Sequence, residues 1–210
     1  MEWNPWRATA LPQLLVARTI RQNIGGAALF VQECLRKPGQ MGAIVPSSPG
    51  LAKAMSRWLP EDPRELVVEL GPGSGPVTEA LLARGLAHDR LVAIEKSEKM
   101  AEVLRQRFPT IHVLDGDAGE LDKLLHKNFG AREVGAVISS LPLRSFPPAL
   151  VDLITRKIHE VLKPGGHWVQ FTYAISNKRV RGSEPFQLHN SRVVWLNLPP
   201  ARVNVYRKLG

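Results

Sequence analysis

The stretch Glu69-Leu-Gly-Pro-Gly-Ser-Gly75 constrains this chain more than any other. An apolar run, Leu66-Val67-Val68, precedes it, and Pro76-Val-Thr-Glu-Ala-Leu-Leu-Ala83 follows. That order predicts a buried strand, a tight glycine turn and the start of a helix. Glycine has no Cβ, so a turn built from Gly71, Gly73 and Gly75 lets the backbone pass close to a ligand. The spacing is Glu-x-Gly-x-Gly-x-Gly, whereas Gly-x-Gly-x-x-Gly sets a dinucleotide pyrophosphate on a helix N-terminus. A carboxylate at the strand end suits a cationic ligand. A purely structural turn is the plainer alternative.

From Leu66 onward, strand and helix patterns alternate. Strands are predicted at 66–70, 90–95, 111–114, 134–139, 167–173, 192–197 and 202–208, with helices at about 76–85, 97–107, 118–128 and 147–162. Strands separated by helical patterns predict a doubly wound, mostly parallel sheet. The last two runs are joined only by Pro199-Pro200-Ala201, too short for a crossover, so they form an antiparallel hairpin. The long connection 175–190 lacks periodicity, which in a compact domain marks a functional or disordered loop.

Ligands on such sheets bind beyond the carboxyl ends of the strands. The first predicted strand ends in Glu69 and the second in Glu95-Lys96. The third ends in Asp115-Gly116-Asp117-Ala118 and the fourth in Ser139-Ser140-Leu141-Pro142-Leu143. Glu95 can accept two ribose hydroxyls, and Asp117 can accept a hydrogen bond from an adenine amine. One such acid is usually a helix cap, but three at successive strand ends fit an adenosyl ligand. S-adenosyl-L-methionine, which carries a protonated amino group and a sulfonium, fits the cation preference of Glu69 and is the expected ligand, with S-adenosyl-L-homocysteine as its product. Ser139 and Ser140 lie beside the expected methyl position. Tyr173, ending the fifth strand, is the candidate to hold or deprotonate an amine, and a core tyrosine is an equal alternative. The six histidines and single cysteine show no metal spacing, so no metal is expected.

The segment ahead of this domain reads differently. Leu11, Leu14, Leu15, Ile20 and Ile24 recur near helical spacing, with Arg18 and Arg21 alongside and Trp3 and Trp6 before them. Two helical pieces are expected, about 9–23 and 27–36. The pattern fits a helix lying in a lipid interface and a helix packed on the domain equally well. The net charge of +9 is uneven: residues 1–60 carry +5, residues 176–210 carry +6, and the middle is slightly acidic. Basic ends point to an anionic partner. Lys178, Arg179 and Arg181 join the N-terminal residues as candidate membrane contacts. No apolar run reaches the length of a spanning helix, and Leu11–Val16 is too short for a secretory signal. A cytoplasmic protein, peripheral to the inner face of the membrane, is expected.

The glycine turn resembles motif I of class I methyltransferases. As a set, Met41-Gly-Ala-Ile-Val-Pro-Ser-Ser48, the glycine turn, Ser139–Leu143, Gln170-Phe-Thr-Tyr-Ala174 and Asn197-Leu-Pro-Pro-Ala-Arg-Val203 resemble the small bacterial phospholipid N-methyltransferases. The resemblance runs from about residue 25 onward. It implies a Rossmann-like class I methyltransferase domain, 61–210, with a seven-stranded sheet closed by the hairpin. Ahead of it comes a helical extension, 1–60, whose loop covers the cofactor. Met41, Gly42, Ser47 and Ser48 belong to that loop, and the serine hydroxyls are placed to reach the cofactor carboxylate. Ser47 or Ser48 can also cap the helix expected at 51–59. The implied reaction is successive methylation of phosphatidylethanolamine toward phosphatidylcholine, with phospholipid and an anionic membrane surface as partners. The rRNA adenine dimethyltransferases are the alternative, as is a non-catalytic binding protein on this fold. The dimethyltransferases place Asn-Leu/Ile-Pro-Tyr/Phe at the fourth strand, where this chain has Ser140-Leu-Pro-Leu143. The ring that stacks a flipped adenine is missing, so nucleic acid is not expected as a partner.

Overall fold

The computed structural model describes residues 47–173, 179–197 and 199–210. All of these belong to one compact unit, Val45–Gly210. The elements are α1 (Pro49–Met55), β1 (Leu66–Leu70), α2 (Pro76–Ala83), β2 (Leu91–Glu95), α3 (Glu98–Arg107), β3 (His112–Asp115), α4 (Leu121–Phe129), β4 (Val134–Ser139), α5 (Pro148–Val161), β5 (Leu162–Thr172), β6 (Phe186–Val194) and β7 (Ala201–Lys208). The seven strands form one sheet in the order β3-β2-β1-β4-β5-β7-β6. The first five are parallel, and β7 runs antiparallel between β5 and β6. This is the expected class I methyltransferase sheet with its C-terminal hairpin.

Every residue of β1, β2 and β4 is buried, as expected of central strands covered on both faces. Side chains alternate between faces. Leu66, Val68 and Leu70 pack on one side with Leu121, Ile154, Trp168 and Tyr206. Val67 faces the other side with Leu51, Met55, Val77 and Leu81. The Trp168 and Tyr206 rings stack at 4.7 Å, tying β5 to β7. Because α1 buries Leu51, Ala52 and Met55 against the sheet, it belongs to this unit and not to the extension ahead of it.

Several boundaries differ from expectation. The helix expected at 51–59 is α1, 49–55, and the one expected from 118 opens as a 3₁₀ turn, Ala118–Glu120, before α4. β5 starts at Leu162, five residues early. β6 starts at Phe186, so the last part of the expected 175–190 loop is strand. Residues 195–197, expected to end that strand, belong to the hairpin turn. Among the described residues, no helix is long and apolar enough to cross a membrane.

Candidate functional site

The glycine turn lies where the strand order reverses, with β2 on one side of β1 and β4 on the other. The crevice beyond the carboxyl ends at such a point is the usual ligand site of an open α/β sheet. Gly71, Gly73 and Gly75 have φ of 64°, 57° and 87°, where side chains are disfavoured. They are glycines for two different reasons. A Cβ on Gly71 would lie 2.6 Å from Leu141 Cδ2, and one on Gly75 would lie 2.5 Å from Phe108 Cε2. A Cβ on Gly73 would meet nothing within 4 Å. Gly71 and Gly75 therefore let neighbours pack, while Gly73 keeps open space beside the turn.

Glu69, at the end of β1, is fully buried. The Thr78 hydroxyl donates to its Oε2 at 2.7 Å. Its Oε1 is buried with no partner among the described residues. Burial pushes this carboxyl up to about 7, against the Thr78 hydrogen bonds, and the nearby Glu95 charge adds to the rise. A buried unpaired carboxylate oxygen is costly. A ligand cation satisfies it, so the protonated amino group of S-adenosylmethionine fits this position.

Glu95 closes the other side of the turn. Its Oε2 accepts the Gly73 amide at 3.1 Å and its Oε1 accepts the Ser97 amide at 2.9 Å. The expected grip on two ribose hydroxyls must therefore use the second lone pair of each oxygen. Asp117 is likewise engaged at both oxygens. Its Oδ2 takes Lys96 Nζ and its Oδ1 takes the Gly119 amide, both at 2.8 Å. The Lys96 ammonium and the Gly119 amide hold its carboxyl below the usual carboxylate range. Lys96, expected as a cofactor contact, holds Asp117 from an exposed position. Ala118, beside it, opens the 3₁₀ turn that Asp117 caps.

The β4 end carries the serines. Ser139 is buried, and its Oγ accepts the Leu141 amide at 3.4 Å. The Ser140 amide donates to Leu70 O at 2.9 Å, while its Oγ is buried and unpartnered among the described residues. Gln170 was noted only as part of a motif, and the structure adds it to the site. It pairs with Ser139 in the sheet register. Its Nε2 donates to the Leu141 and Phe171 carbonyls at 2.8 and 2.9 Å, and its Oε1 is buried and unpartnered among the described residues. A polar side chain inside the apolar run Trp168-Val-Gln-Phe171 was the signal. Two acceptor oxygens at adjoining strand ends suit an N–H donor.

Tyr173 follows β5, half-buried, with its ring edge-on to Phe171 at 5.3 Å. Burial raises its phenol above the ordinary value, and its hydroxyl hydrogen-bonds with Asn197. Burial favours the protonated phenol, which suits a positioning role for Tyr173 better than proton acceptance. Asn197 is a second residue that strand-end reasoning missed. Buried in the hairpin turn, it accepts the Ser48 amide at 3.2 Å and donates to Pro199 O at 2.6 Å. Ser48 Oγ accepts the Leu51 amide at 3.2 Å, so this hydroxyl caps α1 while keeping its own proton to donate to an acceptor such as a carboxylate. Ser47 is half-buried beside it.

The remaining expected residues divide. Met41 and Gly42, the membrane candidates Trp3, Trp6, Leu11, Leu14, Leu15, Arg18 and Arg21, and Lys178 lie outside the described residues. Arg181 forms a two-pronged ion pair with Asp152 at 2.7 and 2.8 Å. Arg179 donates to the carbonyls of Ser183 and Phe186. Both arginines, expected as membrane contacts, make these contacts within the chain. His189 packs against His167 and Trp58, with centroids 5.3–5.5 Å apart.

Known proteins resemble this chain. A methyltransferase domain family matches residues 67–166. The ornithine lipid N-methyltransferase of Singulisphaera acidiphila is 32% identical over 147 residues, covering 69% of this chain and 76% of that protein. The ribosomal RNA small subunit methyltransferase A of Anaeromyxobacter dehalogenans is 38% identical over 101 residues, covering 44% of this chain but only 34% of that protein. Among solved structures, the N-methyltransferase NodS of Bradyrhizobium japonicum, in complex with S-adenosyl-L-homocysteine, superposes with a TM-score of 0.54 at 15% identity. That match covers 69% of this chain and 78% of NodS. At that identity the likeness concerns the fold alone.

Proposed function

We infer lipid N-methylation from one premise: the chain belongs to the class I S-adenosylmethionine-dependent methyltransferases. The substrate is the amine of phosphatidylethanolamine, methylated successively toward phosphatidylcholine at the inner face of the cell membrane. The cofactor supplies an activated methyl on a sulfonium, so the protein's share is mainly proximity and orientation. Glu69 and the glycine turn hold one end of the cofactor, and Glu95 and Asp117 reach the ribose and adenine. Ser140 Oγ and Gln170 Oε1 accept hydrogen bonds from the incoming amine. A primary ammonium titrates near 10, so it must lose a proton before attack. Apolar burial favours the neutral amine.

Leu143 is the observation that carries this reading over RNA methylation. It stands where the rRNA enzymes place a base-stacking ring, and it is only 3% exposed, packed into the core with Val151 and Ile154. A residue turned into the core offers no platform to a flipped base. The ornithine lipid relative supports an amine-bearing lipid as the acceptor class. The test is incubation with methyl-labelled S-adenosylmethionine and, separately, vesicles of phosphatidylethanolamine with phosphatidylglycerol, vesicles containing ornithine lipid, and RNA. Label on phosphatidylethanolamine is expected. Label on ornithine lipid alone would move the head group within the same class, and label on RNA alone would overturn the reading.

A further inference from the structure

The two most exposed large apolar side chains among the described residues are neighbours. Trp195 is 69% exposed and Leu196 92% exposed. Both sit in the β6–β7 turn. Sheet register fixes where that turn lies. Thr172, at the carboxyl end of β5, pairs with Arg202 at the start of β7, and Val194 pairs with Ala201. The turn therefore stands at the edge of the sheet that carries Glu69, Glu95 and Ser140. By contrast, exposed Leu209 follows the far end of β7.

The turn is also joined to the site. The residue after Leu196 is Asn197, whose buried side chain holds both the Ser48 amide and the Tyr173 hydroxyl. Two residues before Trp195, β6 passes through Val193 from exposed Arg192, and exposed Arg144 lies just beyond the β4 end. Scattered exposed apolar residues mean little, but an adjacent Trp-Leu pair in a hairpin turn, beside a functional mouth, is a different case. Tryptophan is favoured at the boundary of lipid and water, and arginine beside it favours an anionic surface.

We propose that the β6–β7 turn is an interfacial wedge, Trp195 and Leu196 entering the head-group and upper acyl region of an anionic bilayer so that the site opens onto lipid. The wedge rests on the lipid reading above and deepens it by naming the surface that docks. It differs from the expected N-terminal contacts and from Arg179 and Arg181, whose partners lie within the chain.

The test uses the full chain with vesicles of phosphatidylethanolamine and phosphatidylglycerol, some carrying brominated acyl chains. Brominated lipid should quench a part of the tryptophan emission that Trp195→Phe lacks. The double variant W195A/L196A should partition onto vesicles at least about tenfold more weakly, since each buried apolar side chain contributes on that scale. Cofactor affinity and methylation of a short-chain phosphatidylethanolamine in free solution should be unchanged. Equal quenching in Trp195→Phe, or undiminished partitioning of the double variant because residues 1–24 carry it alone, would overturn the wedge while leaving lipid methylation standing. Quenching of Trp195 in a protein that methylates no lipid would support the wedge and sink the substrate reading.

Discussion

Glu69 and Thr78 are joined by a 2.7 Å hydrogen bond that satisfies one carboxylate oxygen and leaves the other buried without a partner among the described residues. The arrangement holds a negative charge in reserve where β1 meets the glycine turn. Its consequence is a carboxyl that titrates at about 7, inside the range of ordinary experiments.

S-adenosylmethionine affinity should therefore fall as pH drops below about 7, because protonated Glu69 no longer attracts the amino group. Binding near neutral pH should release a proton, visible by calorimetry in buffers of different ionisation enthalpy. Glu69→Gln should bind more weakly and lose this pH dependence. Stability has the opposite sign. The folded value lies above the ordinary 4.5. Its stabilising contribution is thus complete below pH 4.5 and is lost as pH rises through 7. Urea unfolding of the cofactor-free protein at pH 8 should find Glu69→Gln more stable, by at most about 3 kcal/mol.

Two glycines in one turn should fail differently. Gly75→Ala sets a methyl against Phe108 at positive φ, and should lower stability by about 2–4 kcal/mol. Gly73→Ala meets no neighbour and bears only the cost of its φ, about 1–2 kcal/mol. Its main loss should be in cofactor affinity. Thermal melts with and without S-adenosyl-L-homocysteine separate the two. A Gly73 variant that is stabilised by the ligand as fully as wild type would remove this turn from the site.

Asp117 and Lys96 share an ion pair, so their removal should have unequal effects. Asp117→Ala should weaken cofactor binding about tenfold or more, by loss of the adenine acceptor and of the Gly119 cap. Lys96→Ala should leave affinity near wild type, because an exposed pair contributes little and the freed oxygen gains capacity for the ligand. Equal losses in titration calorimetry would restore Lys96 as a direct contact.

The central elements were legible because they are buried on both faces. Runs such as Leu66–Leu70 and Val134–Ser139 announce themselves, and acids at their ends mark the site edge. β6 was misread because it is an edge strand. Gln187 to Asn190 are all exposed, so no two-residue alternation distinguishes them from loop. The start of β5 was hidden by Pro164-Gly165-Gly166, which reads as a break but lies within the strand beyond a register shift. Trp195 and Leu196 erred the other way: an apolar pair that continues the Val193-Val194 run, its tryptophan of high strand preference, occupies a turn. Asn197 and Gln170 act through partners far away in sequence, which local patterns do not reveal.

Tyr173 and Asn197 set the last expectation. Had the phenol been the proton acceptor, Tyr173→Phe would cost about 10²- to 10⁴-fold in turnover and remove a limb of the pH profile. Burial keeps this phenol protonated and its hydroxyl is engaged with Asn197. The loss is then one neutral hydrogen bond, worth about tenfold, with the shape of the pH profile retained. Asn197→Ala should cost more. It strands the Ser48 amide and the Tyr173 hydroxyl together, lowering stability by about 2–3 kcal/mol. It should also loosen α1 against the hairpin, so hydrogen exchange at residues 51–55 should quicken in Asn197→Ala and not in Tyr173→Phe. A pH profile that loses a limb in Tyr173→Phe would return the tyrosine to proton transfer.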